Sequence, residues 1–186
     1  KNYFYYFIFF YLILGIYLSL NVGVTHDEYH SFKLWELNKE KFLNVFFNQD
    51  FNVSLLDSPD GFYGIGFHIF SFPIEYFTNL AFSQYNISEY GKLLIIKHPS
   101  VFILFIISGF YFKKIIFIIT KSKNFSYFST ILYLTYPYLL GHSFFNIKDI
   151  PFLSVWLVCT YYIIIILQFF FKEKKINIKD LTILSF

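Results

Sequence analysis

The chain has 186 residues, of which 56% are hydrophobic, 26% aromatic and only 15% charged. A soluble domain carries about 25% charged residues, so this composition points to a membrane protein. A net charge of +3, dispersed along the chain, is too small to mark a nucleic-acid binder, and a single cysteine, Cys159, excludes an internal disulfide or a multi-cysteine metal site.

Charge-free stretches define the elements. Residues 2–25 contain no charge and predict a first membrane helix over 3–24. Its apolar run is too long for a signal peptide, and no small-residue cleavage site follows. Residues 28–47 alternate charged positions (Glu28, Lys33, Glu36, Lys39, Glu40, Lys41) with Tyr29, Phe32, Trp35, Leu43 and Phe46, the pattern of an interfacial amphipathic helix. Residues 61–82 are apolar but interrupted by Gly64, Gly66, His68, Pro73 and Glu75. Further membrane helices are predicted over 98–119, 126–142 and 150–171, with Lys113 and Lys114 snorkelling to the interface. A fifth apolar segment starts at Leu181 and is cut at Phe186. The expected fold is an all-α integral membrane protein, with residues 1–186 forming the N-terminal part of one transmembrane domain.

Lysine placement orients the helices. Lys113, Lys114, Lys121 and Lys123 stand together without an acid, and Lys172, Lys174, Lys175 and Lys179 outnumber Glu173 and Asp180. Both loops are therefore expected on the cytoplasmic side. Residues 25–60 hold seven acids against three lysines, which suits the outer side. A crossing at 61–82 would reverse the sidedness of everything after it. That segment is read instead as an embedded element within an outer region spanning 25–97. Asp27 and Asp149 then share the outer face.

Two polar constellations carry candidate chemistry. In Thr25-His26-Asp27-Glu28, paired acids at a membrane surface suit a general base that takes a proton from a substrate hydroxyl. Asp27 equally suits the N-cap of the helix that follows, and the two roles can coexist. The second is residues 141–152, GHSFFNIKDIPF. It gathers His142, Asn146, Lys148 and Asp149 into one turn, with Pro151 placed for the first turn of a helix. Here Asp149 reads either as a second site acid or as an N-cap. His142 reads as a metal ligand or as a hydrogen-bonded structural group, and Lys148 could bind a lipid phosphate. No residue is assigned to a metal.

An acidic pair after the first helix, an embedded outer segment and a Lys-Asp-x-Pro turn after the third helix together resemble the polyprenyl-phosphate-dependent glycosyltransferases of the GT-C fold. The similarity is to the branch that includes dolichyl-phosphate-mannose–protein mannosyltransferases and bacterial lipid A aminoarabinose transferases. Residues 141–152 are the more specific part. The resemblance implies a GT-C-like transmembrane bundle in a bacterial or archaeal plasma membrane, with interfacial helices and the active site on the outer face. It implies transfer of a hexosyl or mannosyl-type sugar from a polyprenyl-phosphate donor to a protein, lipid or glycan hydroxyl. Asp27 would be the catalytic base, Glu28 would complete the pair, and Asp149 would orient the acceptor or support the base. Lys148, His142, Asn146 and His26 would contact substrate. A divalent metal stays open, since dependence on one varies across that fold. The rival class is a transporter or channel fragment whose polar residues line a pathway.

Overall fold

The computed structural model describes residues 2–43, 66–85 and 87–171, and every regular element among them is helical. The first helix, α1 (Asn2–Ser19), is shorter than the predicted 3–24. Asn21 closes it, donating its backbone N–H to the Leu18 carbonyl at 3.0 Å and its side-chain amide to the Tyr17 carbonyl at 2.7 Å. Next comes α2 (His26–Leu43), covering the amphipathic segment up to residue 43; residues 44–47 lie outside the described residues. The interrupted segment forms α3 (Gly66–Ala81), which carries Pro73 internally; its predicted start at 61–65 is likewise outside. Sixteen residues reach about 24 Å, less than a hydrocarbon core of about 30 Å.

The helix predicted to begin at 98 begins nine residues earlier. It starts with a short α4 (Glu89–Lys92), passes through a π-helical turn (Leu93–Lys97) and continues as α5 (His98–Thr120). Ser88 caps this start, its hydroxyl oxygen accepting the Gly91 N–H. At the far end Lys121 takes a left-handed conformation, φ 55°, and its N–H returns to the Phe117 carbonyl. The helix predicted over 126–142 is two helices, α6 (Lys123–Thr135) and α7 (Pro137–Ser143). Pro137 forces the break: the residue before a proline avoids helical torsions, and Tyr136 sits at φ −62°, ψ 119°. The last described helix, α8 (Asp149–Phe171), matches its prediction closely. The segment from Leu181 is not among the described residues.

At the centre is α5, flanked by α1, α6 and α8. Phe4 and Ile8 of α1 meet Val101, Phe102, Phe105 and Ile106 of α5, with Leu134, Ile147 and Ile150 closing the cluster. Small residues let these helices approach, as is common between membrane helices. A Cβ on Gly15 would lie 1.9 Å from the Phe102 ring, so glycine there makes room for the ring. Gly109 likewise receives Leu134. The Leu134 carbonyl, orphaned by the break at Tyr136, accepts the Tyr11 hydroxyl.

Among the described residues two helices are long and apolar enough to cross a bilayer: Glu89–Thr120, of 32 residues, and Asp149–Phe170, of 22. The outward sides of α1 and α8 are apolar as well. Phe9, Phe10, Ile13 and Tyr17 on α1 are exposed, as are Trp156, Ile163, Leu167 and Phe170 on α8. A water-soluble monomer rarely presents so continuous an apolar surface, whereas lipid or a protein partner would cover it.

Candidate functional site

Both constellations from the sequence lie at helix starts, and in each the capping role falls on a neighbouring residue. At α2 the cap is Thr25, not Asp27 as the sequence allowed. The Thr25 hydroxyl oxygen accepts the Glu28 N–H at 3.4 Å, and the Thr25 N–H donates to Glu28 Oε1 at 3.0 Å. This reciprocal Thr-x-x-Glu pair is a capping box. Asp27, one position before Glu28, is left exposed. Ahead of α8 the side chain that accepts backbone N–H groups is not that of Asp149 but that of Asn146. Its Oδ1 accepts the N–H groups of Lys148 at 3.0 Å and Asp149 at 2.8 Å, and its Nδ2 donates to Asp149 Oδ2 at 2.9 Å. The same amide lies 3.1 Å from His142 Nδ1. Asn146 thus stands between His142 and Asp149 and fixes both.

These two helix starts face each other across a cavity of about 340 Å³. Thr25, Asp27 and Glu28 form one side; His142, Phe145, Asn146, Ile147, Lys148 and Asp149 form the other. Six of the seven candidate residues from the sequence therefore line one space. The exception is His26, which is exposed at the head of α2 and lines neither this cavity nor its neighbour. His26 and His30 stand one turn apart on α2, but no group of three metal-ligating side chains forms among the described residues.

A second cavity, of about 490 Å³, shares Ile147 and Lys148 with the first. Its remaining wall is largely apolar: Phe67 and Phe70 of α3, Leu104 of α5, and Pro151, Phe152 and Val155 of α8. Ser31 and His68 supply its polar edge.

The sequence reading left out the buried polar groups behind these walls. The π turn brings two adjacent polar side chains inside, in different directions. Lys97 reaches α3, donating to Glu75 Oε2 and to the Ser71 hydroxyl, each at 2.8 Å. Glu75 is completed by the Trp35 indole N–H at 3.3 Å and by Lys39 at 2.9 Å. Burial opposes ionisation of Glu75, yet Lys97 and Lys39 hold its carboxyl below the usual value. His98 points the other way, to Glu28 and to the end of α1. Charged residues inside apolar segments were the available signal for this network, because they are kept only where partners exist.

His68 stacks on Trp35, with ring centroids 5.8 Å apart, and its Nε2 lies 3.4 Å from the Ser31 hydroxyl. Its Nδ1 has no partner among the described residues. Burial, reinforced by the Lys97 charge, lowers its pKa from 6.5 to about 3. Between those values the unfolded chain binds a proton that the folded chain refuses, so stability falls as pH drops from 6.5 towards 3. The slope attributable to this one group is about 1.4 kcal/mol per pH unit. Unfolding of detergent-solubilised protein followed against pH should show a shallower acid limb in His68→Phe and His68→Gln than in the wild type.

Among the described residues the fold is all-helical, with bilayer-length helices and an acid-lined cavity beside an apolar one. Comparison with known protein families, curated proteins and solved structures gives no match.

Proposed function

We propose that this chain belongs to a membrane glycosyltransferase that moves a sugar from a polyprenyl-phosphate donor to an acceptor hydroxyl at the outer membrane face. The observation carrying this reading is the pair of adjoining cavities. An amphiphilic donor needs an apolar space for its chain beside a polar space for its sugar, and a cation where they meet. Here Lys148 stands in the shared wall, and Asp27 and Asp149 line the polar side. In the reaction Asp27 takes the acceptor hydroxyl proton as that oxygen attacks the anomeric carbon. The bond from the anomeric carbon to the phosphate oxygen breaks, and polyprenyl phosphate leaves with the electron pair. Asp149, held by Asn146, orients the acceptor, and Lys148 compensates the phosphate charge. In this reading α1, Glu89–Thr120, the α6–α7 pair and α8 cross the membrane in turn. The helices α2 and α3 stay on the outer side, and the lysine-rich loop at 121–123 is cytoplasmic.

A polyprenyl phosphate carrying a photoreactive group on its chain tests the donor site in vesicles. Adducts should map to Phe70, Leu104, Phe152 and Val155 and be suppressed by unlabelled polyprenyl phosphate. Adducts scattered over the outward sides of α1 and α8, and insensitive to competition, would contradict the assignment.

A further inference from the structure

We propose that His98 and Glu28 form a buried imidazolium–carboxylate pair that fixes the first turn of α2 and withdraws Glu28 from the carboxylates available as bases in the acid-lined cavity. The base assignment rests on the transfer reaction proposed above; the pair does not.

Hydrogen-bond counting carries the argument. His98 is fully buried, and its Nδ1 lies 3.1 Å from the Ser19 carbonyl oxygen at the end of α1. A carbonyl oxygen only accepts, so Nδ1 carries a hydrogen. The other ring nitrogen, Nε2, lies 2.6 Å from Glu28 Oε2. Two lone pairs cannot face each other at that distance, so a proton lies between them. The second Glu28 oxygen, Oε1, already accepts the Thr25 hydroxyl at 2.6 Å and the Thr25 N–H at 3.0 Å. Glu28 thus meets a donor at each oxygen, and His98 presents a hydrogen at each ring nitrogen.

The pair ties three chain segments together: the end of α1, the first turn of α2 and the start of α5. Asp27 is the residue preceding Glu28 in that turn, so the clamp on Glu28 also sets where the Asp27 carboxylate meets the cavity. It also neutralises one of the three carboxylates that line the space, easing repulsion on Asp27 and Asp149. His98 is thus a positioning residue, acting through Glu28.

The test uses the full chain in lipid nanodiscs with nitrogen-15-labelled histidine. The His98 signals are assigned by their loss in His98→Gln. At neutral pH both ring nitrogens of His98 should be protonated, and Glu28→Gln should convert the ring to a neutral form protonated at Nδ1 alone. A wild-type His98 carrying one ring proton overturns the pair, as does a doubly protonated ring unaffected by Glu28→Gln. Should Glu28→Gln fail to fold, the wild-type spectrum decides alone. In the transfer assay His98→Gln should lower kcat by ~10–100-fold with the donor KM within about twofold, as expected for a misplaced rather than a missing base. An unchanged kcat overturns the positioning role even where the pair is present. Absence of transfer by the wild type counts against the transferase instead, and the spectrum still decides the pair.

Discussion

Asp27→Asn should lower sugar transfer by about 10²–10⁴-fold, equivalent to ~3–5 kcal/mol of barrier, while leaving folding and donor binding unchanged. The structure sharpens this expectation. Were Asp27 the helix cap, asparagine would replace it with little loss, because both residues cap well. The cap is Thr25, through its reciprocal bonds with Glu28, so the Asp27 side chain has no such duty and its substitution isolates the chemistry. Asparagine keeps the shape and the hydrogen-bonding capacity but cannot take a proton. The checking measurement is turnover with a polyprenyl-phosphate sugar, with expression and donor affinity determined in parallel. Near-normal turnover would remove Asp27 from the mechanism. A complementary Thr25→Val variant should lose about 1 kcal/mol of stability through the cap, a loss that Asp27→Asn should not show.

The largest expected effect on stability lies at the π turn. Lys97→Met should destabilise the protein by roughly 3 kcal/mol, towards the low end of the range for breaking a buried ion pair. The lysine and the glutamate are both fully buried, so removing Lys97 strands a carboxylate away from water. Lys39, still 2.9 Å from Glu75, softens the loss and is the reason the low end is expected. The paired replacement Lys97→Met with Glu75→Leu removes both charges and should recover much of the stability, because well-packed apolar groups often match a buried ion pair. Unfolding in mixed detergent micelles measures both variants. A double variant no more stable than Lys97→Met would show that Glu75 is held by something other than its charge partners.

Much of the fold follows from where charge is missing. The uncharged run after Asp149 predicts 150–171, and α8 occupies Asp149–Phe171. The same logic starts α5 correctly at 98 but misses the nine helical residues before it, because the charge of Lys97 beside His98 ends the apolar span. Those groups enter the interior only because Glu75 and Glu28, 22 and 70 residues away, meet them there. Contacts at such separation leave no periodic trace in one sequence. The α6–α7 break was legible in Pro137 but was outweighed by the continuous apolar pattern around it. Thr25-x-x-Glu28 is itself a capping-box signature, yet the acidic pair drew the cap to Asp27. Asp27 and Asp149 were placed on one side by lysine distribution alone, and the structure lines one cavity with both. The apolar cavity has no sequence signal, since its wall draws residues from four helices and a turn that lie far apart in the chain.

The central claim is that the acid-lined cavity is a glycosyl-transfer site, and the most direct measurement is transfer itself. The protein, reconstituted in vesicles, is given polyprenyl-phosphate sugars with labelled sugar moieties and a mixture of hydroxyl acceptors. Release of polyprenyl phosphate should accompany appearance of label on an acceptor, and both should fall together in Asp27→Asn and Asp149→Asn. Donor left unconsumed and unbound by well-folded wild-type protein would contradict the account, as would transfer that persists at the wild-type rate in both variants.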